Sequence, residues 1–347
     1  MIHNRLLLIQ EFLTNSILKL TNICLCPFQS LIIWNVIVGV EVYEVFSFDH
    51  LELKNERSHE MENIRQLKYP VQFIQTLRGG TAHVILFSDG KKYVVKWYAS
   101  TEDRAKEVVN EYVVSKLAGH LSLPVVPFEL VYIPNEFIKQ TPELHSKKYK
   151  FCSGTQIACL FIENCLDFKT LLDSPPSKSE VKNCDMLAGL IVFDKWVYNV
   201  DRTKSNLLLE PLSEGNYYVH MIDQGKCFPG GYNWNAKTLS QKAKEKNKYQ
   251  VTYQWAFSLL QQEDILSFIN NIYSFPNELI YEIIQSIPED WEVSNAERQA
   301  LYNFLVEYKN LLPNVIANFI EKYQNNKWNK KDKEKMKSIK KKNDKKK

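Results

Sequence analysis

Residues 190–228 constrain this chain more than any other stretch. An apolar run (Leu190 to Phe193) leads into the polar turn Asn199-Val200-Asp201-Arg202-Thr203-Lys204-Ser205-Asn206. Leu207-Leu208-Leu209 follows, and after a loop carrying Gly215 the run 217–222 delivers Asp223-Gln224-Gly225. Two β-like pieces around a glycine-bearing loop read as a hairpin. A hairpin here brings Asp201, Asn206 and Asp223 to the ends of neighbouring strands, where they can converge.

Asp-x-x-x-x-Asn followed by a strand-end Asp-x-Gly is the spacing of a phosphoryl-transfer loop and its metal-binding turn. That chemistry needs one carboxylate facing the attacking hydroxyl. It also needs a carboxylate and an amide oxygen for Mg²⁺, which prefers hard oxygen ligands. The competing reading is a solvated turn in which Asn206 and Asp223 merely cap backbone groups. Lys96 upstream weighs against it. It lies in the alternating strand Tyr93-Val94-Val95-Lys96-Trp97-Tyr98, and an ammonium among such neighbours needs an anionic partner. The helix-like stretch 101–121 supplies Glu107 and Glu111, four apart and on one face. Either one could hold Lys96 against the nucleotide's phosphates. The alternative is an edge-strand lysine snorkelling to solvent.

From Tyr69 onward the pattern is β. Strands are expected over 71–77, 82–87 and 92–98, with Asp89-Gly90 as a hairpin turn. Gly79-Gly80 lets backbone N–H groups approach phosphates, although a plain hairpin turn would read the same. Leu123-Pro124 ends the helix, 125–133 reads as another strand and 134–153 as a polar loop. A strand over 155–161 runs into Ile162-Glu163-Asn164, a candidate adenine-binding hinge. A buried helix is expected over 181–198. Beyond Gly230 the chain reads as helical, with a capping box Ser294-Asn295-Ala296-Glu297 opening a helix to about Lys309 and Pro313 starting the last one.

The 347 residues allow one two-lobed unit or two domains. Net charge is +4 but uneven: 327–347 hold 12 Lys against 3 acids, a net of +9 that leaves −5 for residues 1–326. The body is therefore not a nucleic-acid binder by charge. The Lys-rich tail is expected to be disordered and to offer contact to polyanions. Seven scattered cysteines suit reduced thiols and a cytoplasmic location. Cys24-x-Cys26 has no second pair at zinc spacing. Residues 1–60 are rich in Leu, Ile and Val. Their apolar run Leu31 to Val40 is ten residues long, against the roughly 20 of a bilayer span, and it lies too far in for a secretory signal. No transmembrane span is expected. The segment reads as an N-terminal extension, and Met61 is an alternative start.

Taken together, these motifs resemble the HipA-like kinase family, in particular its short stand-alone members. The resemblance runs from about Leu67 to Lys309. It is carried by Val94-Val95-Lys96, Asn110-Glu111 with Leu123-Pro124-Val125, and Phe193-Asp194. Asn199-Val200-Asp201-Arg202 with Asn206-Leu207-Leu208, Ile222-Asp223-Gln224-Gly225 and Ile287-Pro288-Glu289-Asp290-Trp291 complete it. It implies an α+β, protein-kinase-like two-lobed fold, with a small β-rich lobe over about 67–160, a larger helical lobe over about 164–326, and ATP between them. By that analogy Lys96 contacts the phosphates, with Glu111 a likelier partner than Glu107, and Asp201 is the base. Asn206 and Asp223 hold Mg²⁺, while Gly79, Gly80, Glu163 and Glu111 complete the nucleotide site. The substrate implied is Ser or Thr on a protein. Gln224 stands where the short branch usually has His, and the partner domain of the full toxin–antitoxin kinases is absent. A small-molecule or lipid-headgroup kinase shares the same motifs, and a nucleotide-binding pseudokinase is the reading from outside enzymes.

Overall fold

The computed structural model describes residues 68–241 and 251–325, all within one compact unit, Lys68–Lys347. The N-terminal extension, Cys24-x-Cys26 and the Lys-rich tail lie outside the described residues. Five antiparallel strands open the fold: β1 (Pro70–Thr76), β2 (Ala82–Phe87), β3 (Lys92–Lys96), β4 (Phe128–Ile133) and β5 (Gly154–Leu160), in the order β1-β2-β3-β5-β4. Asp89-Gly90 makes the expected hairpin. Gly90 takes φ +76, and the Asp89 carboxylate accepts from the Lys91 N–H at 3.0 Å.

Alternation along β3 sends Tyr93 and Val95 into a core with Ile85, Phe87, Trp97, Val131 and Ile133. Lys96 falls on the opposite face. Helix α1 (Glu107–His120) crosses between sheet and helical lobe and is buried nearly all round, from Val108 and Val109 to Leu117 and Ala118. It is shorter than the expected 101–121, because Glu102–Arg104 forms a separate 3₁₀ turn.

Residues 134–153 are not simply a polar loop. They hold α2 (Asn135–Gln140) and a turn at Pro142–Leu144. Ile138, Leu144 and Phe151 pack under the sheet, at spacings too wide to register as a period. Beyond β5 come β6 (Leu166–Asp167), α3 (Met186–Trp196) and the hairpin β7 (Leu207–Pro211) with β8 (Tyr217–Met221), which joins β6 in a second antiparallel sheet. The expected helix 181–198 begins late because Asn183 is spent on the sheet. Its side chain bonds both the N–H and the carbonyl of Val219, each at 2.9 Å.

The remaining helices are α4 (Ala236–Leu239), α5 (Val251–Leu259), α6 (Gln262–Tyr273), α7 (Asn277–Gln285) and α8 (Asn295–Asn325). The Ser294/Glu297 capping box forms. Pro313, however, does not start a new helix, for α8 runs through it. An interior proline costs about 3 kcal/mol. The buried stripe Leu301, Leu305, Tyr308, Leu312, Ile316 and Phe319 continues unbroken on both sides and offsets that cost. Among the described residues no helix is long and apolar enough to cross a membrane.

Candidate active site

Helix α3 ends at Trp196, and Tyr198 in the left-handed region (φ +53) turns the chain into the loop 199–206. The Asp201 N–H donates to Asn199 Oδ1 at 2.9 Å, and the Asp201 carbonyl accepts from Asn206 Nδ2 at 2.7 Å. Its backbone is thus fixed on both sides. Its half-buried carboxylate accepts no hydrogen bond from the described residues.

Beneath this loop lies Arg202, fully buried, with all five of its N–H groups engaged. Nε and Nη2 grip the two oxygens of buried Asp194 at 2.9 and 3.0 Å. Nη1 bonds the carbonyls of Asn206 and Ile222 at 2.9 and 2.8 Å. The remaining Nη2 proton goes to Gln224 Oε1 at 2.6 Å. Asp194 also accepts from Asn199 Nδ2 and Tyr253 Oη, both at 3.0 Å. Burial works against the guanidinium's charge, but the Asp194 carboxylate overcomes it and the pKa rises. One buried cation therefore ties the loop that carries Asp201 and Asn206 to the turn that carries Asp223.

That turn reaches the small lobe directly. Lys96 Nζ contacts Glu111 Oε1 and lies 3.1 Å from Asp223 Oδ1. A Cβ at Gly225 would come within 2.8 Å of Glu107 Cγ and 3.4 Å of Glu111 Oε1. Asp223 itself takes φ +59. The Lys96 charge holds the Asp223 carboxyl below the ordinary range, while burial pushes Glu111 up against the pull of Lys96. Partial burial opposes the Lys96 charge, yet Asp223 and Glu111 together raise its pKa.

Of the two glutamates on α1, Glu111 takes the lysine. Glu107 pairs with Arg104 at 3.1 Å instead. Gly79 and Gly80 form the β1–β2 turn, with φ +106 and +82. Ala82 faces Lys96 in the register, which puts that turn at the same end of the sheet. Glu163 is exposed, its carboxylate 2.7 Å from Lys92 Nζ, and it makes no direct contact with the Lys96 cluster. The downstream Asp290-Trp291 pair closes the lobes on each other. Asp290 accepts from the Thr155 N–H, and Trp291 Nε1 donates to the Thr155 carbonyl, both at 2.8 Å.

Arg202, Asp194, Asn110 and Trp291 stood out in the sequence only as parts of motifs, without structural roles. Tyr253 left no trace at all. The available signal was an Asp inside the apolar run LIVFDKW, since a buried charge requires a partner.

The sequence profile of HipA-like kinases matches residues 74–331. The chain belongs to the HipA-like kinase family. No curated protein matches it. Among solved structures it is similar to the Helicobacter pylori proinflammatory kinase CtkA, at 17% identity over 72% of this chain and 96% of that one, TM-score 0.49. It is also similar to the Golgi casein kinase with Mn/ADP bound (11% identity, 74% and 76% coverage, TM-score 0.41). A third similar structure is the Rio2 kinase–ADP/Mg²⁺-phosphoaspartate complex from Chaetomium thermophilum (10% identity, 86% and 85% coverage, TM-score 0.32). This HipA-like kinase thus has the α+β, protein-kinase-like architecture of a β-rich lobe followed by a helical one, and it is a phosphotransferase.

Proposed function

We propose that the protein transfers the γ-phosphoryl group of ATP to a serine or threonine hydroxyl of a protein substrate, with Asp201 as the base. The observation that carries this reading is the fully buried Arg202, which links the Asp201–Asn206 loop to the Asp223 turn while Lys96 joins that turn to Glu111. In the reaction the Asp201 carboxylate accepts the hydroxyl proton as that oxygen attacks the γ-phosphorus. The bond from γ-phosphorus to the bridging oxygen breaks, and ADP leaves. Lys96, kept charged and in place by Glu111, orients the α- and β-phosphates. The Gly79–Gly80 turn covers them, and the backbone beside Glu163 receives the adenine.

Asn206 and Asp223 suit Mg²⁺. The Asn206 amide nitrogen is committed to the Asp201 carbonyl, which leaves its oxygen as the free end, and Asp223 adds a carboxylate. Among the described residues no group of three or more His, Cys, Asp or Glu forms a cage. Two protein oxygens, completed by phosphates and water, are what Mg²⁺ accepts. When bound, it supplies neutralisation of charge on the transferring phosphates.

Asp201→Asn removes the base with almost no change in volume. ATP affinity and melting temperature should be retained while turnover falls by about 10²–10⁴-fold. Phosphorylation at the parent rate would take Asp201 out of this role.

A further inference from the structure

The turn Leu77-Arg78-Gly79-Gly80 has little to hold it by itself. Two successive glycines at φ +106 and +82 give it freedom that any other residue would remove. Its own closure rests on Gly80 N–H to Leu77 O at 3.1 Å and Leu77 N–H to Ala82 O at 2.9 Å. A second segment reaches across to it. Tyr149 Oη donates to the Gly79 carbonyl at 2.7 Å. The Tyr149 ring also lies so close over Gly80 that a Cβ there would sit 2.7 Å from Cε2.

Tyr149 is presented by a strap anchored along its length. The Lys148 and Tyr149 N–H groups both donate to Ser146 Oγ at 3.1 Å. The Lys150 N–H donates to the Ser100 carbonyl at 2.8 Å. Phe151 is buried against His83, with ring centroids 4.6 Å apart. The strap belongs to the core of the small lobe, and Tyr149 is the arm it extends to the glycine turn.

We propose that Tyr149 is a positioning residue for the nucleotide's phosphates. It clamps the Gly79–Gly80 turn in the conformation that covers them, so that less ordering remains to be done when nucleotide binds. This rests on the reading of that turn as the phosphate cover. Tyr149 acts through the turn and not on the phosphates themselves.

The test uses the full chain with Tyr149→Phe, which removes the hydroxyl and keeps the ring. The loss of one neutral hydrogen bond should raise the Kd for the Mg²⁺ complex of a non-hydrolysable ATP analogue by about three- to tenfold. The KM for ATP should rise with it, while kcat stays within about twofold. Adenosine, which has no phosphates, should bind as before, and the melting temperature should fall by no more than a few degrees, the share of one neutral hydrogen bond. Equal weakening of adenosine and the ATP analogue would make Tyr149 a structural residue only and overturn the proposal.

A second pair of variants probes the ring. Gly80→Ala should weaken analogue binding more in the parent than in a Tyr149→Ala background, because part of its cost is the clash with the ring. Strictly additive effects would also overturn the clamp. If the parent protein binds the analogue and Lys96→Met abolishes that binding, an unchanged Tyr149→Phe sinks the clamp alone. If the parent binds adenosine and the analogue equally, the phosphate-cover reading falls and the clamp with it.

Discussion

Arg202 is the side chain on which the proposed catalytic arrangement depends most, and its removal has a calculable consequence. Arg202→Met deletes five donors at once and leaves Asp194, also fully buried, as an uncompensated charge with, among the described residues, Asn199 and Tyr253 as its remaining side-chain donors. Breaking a buried ion pair from one side costs about 3–5 kcal/mol. For a unit of this size, each kcal/mol moves the melting temperature by about 2–4 °C. The expected loss is therefore about 6–20 °C, read by circular dichroism and by urea titration at constant pH. Arg202→Lys should fall between parent and Met, because three donors on one ammonium cannot span five acceptors. The diagnostic variant is the double one, Asp194→Asn with Arg202→Met. With no charge left to bury, it should recover a large part of the stability that the single variant loses. Activity should not return with it, because the carbonyls of Asn206 and Ile222 still lack the cation that holds loop and turn together. A single Met variant that melts within 2 °C of the parent would refute the hub. So would a double variant less stable than either single one.

Two further outcomes follow from the same geometry. Asp223→Asn should weaken Mg²⁺-dependent ATP binding by about 10–100-fold, the range of one charged interaction, while nucleotide binding without Mg²⁺ changes little; an unchanged Mg²⁺ titration would remove Asp223 from the metal site. His83 gives a pH dependence. Its Nδ1 accepts from Trp97 Nε1 at 2.8 Å, and burial lowers its pKa from 6.5 to about 4. The unfolded chain therefore takes up a proton near pH 6.5 that the folded chain refuses. Stability should decline as pH falls from 6.5 to about 4 and be lost no further on this account below that. The shift corresponds to about 3 kcal/mol at most. His83→Gln retains an acceptor for Trp97 and should flatten that slope in urea unfolding between pH 7 and 4.5. Parallel slopes in the two proteins would dismiss His83 as the cause.

What the sequence disclosed, and what it hid, differ in kind. The approach of the Asp201–Asn206 loop to the Asp223 turn was legible because their order along one loop and one hairpin is covalent spacing, which folding preserves. Lys96 was legible for a similar reason, since strand alternation marks a cation that needs an anion. The choice of Glu111 over Glu107 came from the family resemblance and not from spacing. Both lie on one helical face, and only the placement of α1 against β3 sends Glu111 to the lysine and Glu107 to Arg104. Pro313 misled because punctuation is local, whereas the apolar stripe of α8 that overrides it extends over many turns.

The deepest concealment is on the acceptor side. Arg202 sends two bonds to backbone carbonyls. Asn110 Nδ2 meets the carbonyls of Gly225, Cys227 and Gly231 at 2.7, 3.3 and 3.0 Å. Arg298 bonds only carbonyls, those of Val293, Ile284, Gln285 and Ile287. A polar side chain in apolar surroundings announces that it must have partners. When those partners are carbonyls, which every residue carries, no sequence position marks them. The residues proposed for the chemistry declare themselves by type and spacing. Those that hold the chemistry in place do so through a group common to every residue, and only the folded chain reveals which ones they grip.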